Sequence, residues 1–219
     1  MKIIAVVQAR LGYSRLPGKV LADIAGRPLL AHVLERARAV DVVDQVMLTA
    51  PRGDDLSPAL RDTPIHGWGF HTPPDVLSGF VYIAKRSEAD ILIRLTGDCP
   101  LLDPALCTEV LMRLQDEKAD YAENVLESSF GLDCQAFTAA TLQRAHEAST
   151  GHGALPDSDR EHVCTWMQRS PTVSARSFGL PYPLARVRWA VDTAAALARV
   201  RAIYAHLHPG DFSWPATLR

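Results

Sequence analysis

Short, continuous apolar runs alternate along this chain with longer segments of helical spacing. Ile3 to Val7 is apolar at every position, the mark of a strand buried on both faces. Leu29 to Val40 sets Leu30, Val33, Leu34 and Ala37 on one side of a helix. The same rhythm predicts strands over residues 45–50 and 90–96, the second ended by Gly97, and helices over residues 75–85 and 104–117. Asp103 stands ahead of Pro104, which suits a capped helix with proline in its first turn. Strand and helix in alternation predict a parallel sheet with crossover helices.

Past residue 119 the rhythm shifts. Strands are expected over residues 119–124 and 132–137 around a turn at 128–131, an antiparallel excursion of about residues 120–137. A helix over 138–148 and a polar loop over 149–157 follow. Ser158-Asp-Arg-Glu161 has the S-x-x-E form of a capping box opening the next helix. Strands over 172–178 and 187–191 and a helix over 194–206 complete the pattern. With no repeat and no convincing linker, the reading is one α/β domain over residues 1–219.

Composition narrows the class. The chain has 219 residues, 47% hydrophobic and 22% charged, which supports a packed core. A formal charge of -2 argues against a protein that coats nucleic acid. Cys99, Cys107, Cys134 and Cys164 form no C-x-x-C pair, so neither zinc nor a disulfide framework is expected. The apolar run after Lys2 is too short for a signal core or a membrane span. A cytoplasmic chain without a membrane partner is the expectation.

In open α/β sheets ligands bind beyond the carboxyl ends of the strands, so the loops after Val7, Thr96 and Val191 are the candidates. The first, Gln8-Ala-Arg-Leu-Gly-Tyr-Ser-Arg-Leu-Pro-Gly-Lys19, combines glycines, arginines, a lysine and a serine after a strand. That composition suits a polyphosphate, with backbone N–H groups and cations converging on its oxygens. It is not a Walker A loop, since five residues separate Gly12 from Gly18 and Val20 follows Lys19. The alternative is a solvated basic loop, and on either reading Lys19 is expected in an exposed segment. In the second loop Asp98 is placed to ligate a hard divalent cation, or else to bond its own turn. Asp192 in the third is a second such carboxylate or a helix cap.

Taken together, the chain resembles the cytidylyltransferase family. The stretches that carry the resemblance are Gln8-Ala-Arg10 with Ser14-Arg-Leu-Pro-Gly-Lys-Val-Leu21, Arg94-Leu-Thr-Gly-Asp-Cys-Pro-Leu-Leu-Asp-Pro104, Gly131-Leu-Asp-Cys-Gln-Ala-Phe137, Asp159-Arg-Glu-His-Val163 and Val191-Asp-Thr193. They run from residue 3 to about 205, and the pattern is most like the spore-coat polysaccharide (SpsF-like) branch. The resemblance implies a Rossmann-like nucleotidyltransferase fold, CTP as donor, Mg2+ as cofactor, pyrophosphate release and a CMP-activated acidic sugar for surface polysaccharide. It implies that Ala9, Arg10, Ser14, Arg15, Gly18, Lys19 and Asp98 meet the nucleotide, with Arg10, Lys19 and Asp98 catalytic. It further implies that Asp98 and Asp192 hold the metal, and that Asp133, Gln135, Arg160, Glu161 and His162 face the acceptor. Relatives commonly work as homodimers, and the excursion is the expected interface. Gly79, Gln135 and Ala196 stand where the pattern usually has Arg, Glu and Asp. Two alternatives stay open: a catalytically weakened nucleotide-binding protein on the same scaffold, and a nucleotide-sugar-dependent glycosyltransferase.

Overall fold

The computed structural model describes residues 1–126, 131–150, 156–179 and 188–218. In chain order the elements are β1 (Ile3–Gln8), the short hairpin β2 (Asp23–Ile24) and β3 (Arg27–Pro28), α1 (Leu29–Arg38), β4 (Gln45–Pro51), β5 (Gly67–His71), α2 (Val76–Ser87), β6 (Ile91–Thr96) and α3 (Pro104–Asp116). They continue with β7 (Tyr121–Leu126), β8 (Gln135–Thr138), α4 (Ala139–Thr150), α5 (Asp157–His162), α6 (Thr165–Arg169), β9 (Ala175–Gly179) and α7 (Ala194–Tyr204).

The main sheet has the order β5-β4-β1-β6-β8-β7-β9. Strands β5, β4, β1 and β6 are parallel to one another and β7 to β9, while β8 runs antiparallel to both of its neighbours. β1 is apolar throughout because it lies at the centre with a core on each face: Ile3, Ala5 and Val7 pack into one cluster and Ile4 and Val6 into the other. The first cluster contains Leu30, Val33 and Leu34 of α1, Val110 and Leu111 of α3 and Val200 of α7. The second contains Leu77 and Phe80 of α2, Leu142 of α4 and Met167 of α6. The four cysteines are buried free thiols. Among the described residues no helix is long and apolar enough to cross a membrane.

The antiparallel excursion forms, as β7 paired with β8, and it lies within the sheet, β8 between β6 and β7 and β7 between β8 and β9; residues 127–130 between them lie outside the described set. Other expectations are corrected. The capping box fails because α5 already begins at Asp157, which puts Ser158 inside the first turn and leaves Pro156 at the cap without a side-chain bond. Acidic Asp157 and Asp159 favour that helix start through the helix dipole instead. The strand expected over 187–191 is not formed among its described residues; Val191 N–H makes a single bond to the Asp98 carbonyl, at 2.9 Å, in place of a ladder. Residue 187 lies outside the described set, as do 151–155 of the polar loop.

β5 was not anticipated, because Gly67 and Gly69 read as loop residues. Their reason is tertiary. A Cβ at Gly69 would stand 2.8 Å from the Gly79 carbonyl and from Ile83, and one at Gly79 would stand 2.4 Å from Thr49 Oγ1. The two glycines let α2 lie directly on β4 and β5, and they leave no room for the arginine that the family pattern usually has at position 79.

One buried charge ties the first helix to a distant segment. Arg36 of α1 is 1% exposed. It donates to the carbonyls of Leu102 and Phe212, each at 2.8 Å, and to the Tyr204 hydroxyl at 3.3 Å. The Phe212 ring lies 5.0 Å from its guanidinium carbon.

Candidate functional site

Three segments meet beyond the carboxyl ends of β1 and β6. The first is the loop after β1, which is pinned rather than loose: Gly18 N–H bonds the Leu11 carbonyl at 2.9 Å, and Leu11 N–H bonds Asp54 Oδ2 at 2.6 Å. It ends in a 3-10 turn, Lys19–Leu21, whose Val20 is fully buried in the core. The second is the turn after β6, where Gly97 N–H bonds the Gln8 carbonyl at 2.8 Å and so docks the two loops together. The third is residues 188–193, held beside Asp98 by the Val191 bond already described.

At their meeting point Lys19 Nζ lies 2.6 Å from Asp98 Oδ2 and 3.1 Å from Asp192 Oδ1. Lys19 is 2% exposed, which overturns the expectation of an exposed lysine. Two carboxylates and the face of Tyr13, whose ring centre is 4.0 Å from Nζ, replace its water. Arg15 Nη2 at 3.4 Å and Arg188 Nη2 at 2.8 Å also reach Asp192. Burial works against ionisation of Asp192, but hydrogen bonds from Lys19 and Arg188, with the charges of Lys19 and Arg15, outweigh it and hold the carboxyl below its usual range. Tyr13, pressed between Lys19 and Arg10, has its hydroxyl pushed far up by burial and by Asp98.

Asp192 is not a cap. Thr193 fills that role in α7, its hydroxyl accepting Ala196 N–H at 3.2 Å. Asp98 turns Oδ2 to the lysine and takes the Cys99 thiol on Oδ1 at 3.6 Å, whereas Asp103 caps α3. Both carboxylates therefore face one cationic position, which is hard-oxygen chemistry suited to Mg2+. Among the described residues no group of three or more His, Cys, Asp or Glu converges on a point, so a magnesium ion would take its remaining oxygens from phosphate and water.

The other predicted residues divide. Arg10 Nη1 pairs with Glu161 Oε1 at 3.0 Å, which brings α5 against the first loop. Ser14 stands exposed on that loop. Ala9 is buried and its N–H is taken by the Thr49 carbonyl at 3.0 Å, so it offers no backbone donor. Arg160 turns to Asp157 on its own helix and His162 is exposed; neither joins the cluster. Asp133 lies near it, half-buried, bonded to Gly131 N–H at 2.7 Å; burial raises its carboxyl above the usual range. Gln135 is buried and accepts from Arg94 Nη1 at 2.5 Å. The residues that the sequence reading missed are Tyr13, Asp54, Arg94 and Arg188. Arg94 alone carried a visible signal, a charge inside an otherwise apolar strand.

The cytidylyltransferase family model matches residues 4–206. The 3-deoxy-manno-octulosonate cytidylyltransferase of Geobacter sulfurreducens is 35% identical over 125 residues, 54% of this chain and 48% of that protein. The enzyme of the same name from Brucella ovis is 35% identical over 130 residues, 56% and 50% of the two chains. The chain spans about half the length of the curated relatives it matches. Among solved structures, a cytidylyltransferase from Leptospira borgpetersenii superposes with a TM-score of 0.89 at 21% identity, covering 100% of this chain and 92% of that one. A CMP:2-keto-3-deoxy-manno-octonic acid synthetase complexed with CTP superposes with a TM-score of 0.70 at 22% identity, covering 94% and 99%. At these identities the likeness is one of fold.

Proposed function

Given that this chain belongs to the cytidylyltransferase family, we propose that it transfers the cytidylyl group of CTP to a hydroxyl of an acidic sugar and releases pyrophosphate. The observation that carries the reading is the buried Lys19 fixed between Asp98 and Asp192 at the carboxyl edge of the sheet. An ammonium whose position is set before substrate arrives costs no reorganisation when charge develops.

In the proposed reaction the acceptor hydroxyl gives up its proton to solvent and its oxygen bonds to the α-phosphorus as the bond to the pyrophosphate oxygen breaks. Negative charge then grows on the departing pyrophosphate. Lys19, with Arg15 and Arg10 on the same loop, is placed to take that charge. Asp98 and Asp192 would hold Mg2+, which supplies Lewis-acid neutralisation of phosphate oxygens when bound. Asp133, whose carboxyl is raised by burial, would hydrogen-bond an acceptor hydroxyl. Little covalent work falls to the side chains, and positioning supplies most of the acceleration. A CMP-activated sugar is a donor for glycosyl transfer, which fits the surface-polysaccharide role that the sequence pattern implies.

The test is pyrophosphate release from CTP and magnesium with a panel of acidic sugars, beginning with 3-deoxy-manno-octulosonate, and with ATP, GTP and UTP in parallel. Release that needs both CTP and an acceptor is expected. Nucleotide binding without release for any acceptor would return the chain to the weakened, non-catalytic reading.

A further inference from the structure

Arg94 sits in the second half of β6, in a run that is otherwise apolar up to Thr96. Arg94 is half-buried, and a guanidinium partly withdrawn from water in this way needs hydrogen-bond partners. Its partners, however, are neutral: Nε donates to Gln8 Oε1 at 3.2 Å and Nη1 to Gln135 Oε1 at 2.5 Å. Among the described residues no carboxylate lies within ion-pair distance of it, and its Nη2 has no partner there.

The amides are themselves fixed. Gln135 Nε2 donates to the Tyr121 hydroxyl at 3.0 Å and to Glu123 Oε2 at 3.4 Å, so its oxygen is left to face Arg94. Glu123 is held in turn by Tyr121, by Gln168 Nε2 at 2.7 Å and by Ser177 Oγ at 2.8 Å. Glu123 is thus consumed by neutral donors and reaches Arg94 only through an amide. A guanidinium built this rigidly, with a free terminal amino group and its charge unneutralised by contact, is a receptor for a carboxylate.

Its place in the site selects the anion. Arg94 bonds the side chain of Gln8, whose carbonyl takes Gly97 N–H at 2.8 Å where the Lys19 and Asp98 loops dock, so the guanidinium borders the Lys19 cluster. The cations Lys19, Arg15 and Arg188 instead gather on Asp192, and Val20 beside Lys19 packs into the core on the other face of the sheet from Phe137 and Tyr121, the face that carries Gln135. We propose that Arg94 receives the carboxylate of the acidic acceptor, aimed at it by the amide oxygens of Gln8 and Gln135. The inference rests on the cytidylyl-transfer reading and gives it a specificity residue.

The experiment is calorimetric titration, with CTP present and magnesium chelated to hold turnover off. The probes are 3-deoxy-manno-octulosonate and N-acetylneuraminate, each against its methyl ester. Wild-type protein is expected to favour at least one acid over its ester by tenfold or more. R94Q should bring the preference within twofold, and R94K, which keeps the charge and loses the fork, should restore part of it. Q135E, which sets a carboxylate on Nη1, should quench the preference as R94Q does and decides the matter if R94Q fails to fold. CTP affinity should stay within twofold in R94Q. No preference in wild type for either acid, or a preference kept in R94Q or Q135E, overturns the assignment. A tenfold loss of CTP affinity in R94Q with the acid preference intact would make Arg94 a phosphate ligand and overturn it as well. Pyrophosphate release is scored separately in magnesium: its absence with both acids strikes the transfer reading, while the acid-against-ester comparison still decides Arg94.

Discussion

Two cations stand at the same edge of the sheet and are held in opposite ways. Lys19 is surrounded by charge, with two carboxylates on its ammonium and further arginines on one of them. Arg94 is surrounded by neutral amides. The first arrangement is a closed ion cluster in which the ammonium is already fixed, so that on the proposed reading a phosphate meets it in place. The second keeps its charge unspent in contact terms and needs no partner exchange to meet an anion. Lys19 is buried and Arg94 half-buried, and it is the chemistry of their partners, more than the depth of burial, that separates their roles.

The sharpest way to break this comparison is Lys19→Ala. If the ion cluster serves the transition state, pyrophosphate release should fall roughly 10²-fold to 10³-fold, the penalty for losing one preorganised donor, with CTP-dependent thermal stabilisation also reduced. Wild-type turnover in K19A would make the cluster structural.

Next in size are Asp98→Asn, Asp192→Asn and the double variant. Because both carboxylates face one position, their losses in rate should not add, and the double variant should resemble the worse single one. Multiplicative losses, or an untouched Asp192→Asn, would separate the two residues.

On the amide side, Glu123→Gln keeps the shape but replaces a carboxylate that accepts from Tyr121, Gln135, Gln168 and Ser177. The amide oxygen can still accept from the buried Tyr121 and Gln135 while the NH2 donates to the exposed Ser177 hydroxyl, so the loss is that of charge-assisted bonding and the urea midpoint should drop by the equivalent of about 1 kcal/mol. An unchanged midpoint would mean that the network does not hold Gln135 in place.

The smallest effect is in pH. Asp192 has a folded value below its ordinary 3.8, so its contribution to stability is full above that value and is lost as pH falls through the lower folded one. Asp133 is shifted upward by burial, so its contribution has the opposite sign, favouring the fold at low pH and fading as pH rises through its ordinary value toward its folded one. Asp192→Asn should therefore flatten the acid limb of a stability profile, and Asp133→Asn should steepen it. Equal profiles for both variants would contradict the contrast between the two carboxylates.

Much of this was legible from strand ends. Asp98 and Asp192 each follow an apolar run, and the rule that ligands gather at carboxyl edges selects them without knowledge of the fold. The burial of Lys19 was hidden because its partners stand 79 and 173 positions away; a loop of that composition reads as solvated until those carboxylates are placed beside it. β5 was hidden because its glycines answer to α2 rather than to strand propensity. Ser158 misled in the other direction, since its spacing from Glu161 fits a capping box but the helix had already begun one residue earlier. Local signals held where the cause was local and failed where a second segment supplied it.

The clamp made by Arg36 gives the protein a direction in time. A ribosome delivers α1 early, yet the carbonyl of Phe212 and the hydroxyl of Tyr204 that satisfy its guanidinium emerge 176 and 168 residues later. Until then a nascent chain with β1, β4 and β6 already paired would bury a cation with little more than the Leu102 carbonyl to hold it. The central strands can thus collapse during synthesis, but the Arg36 clamp of α1 closes only once residues 204–212 have been made, so the seating of that helix waits on a segment far beyond the first half.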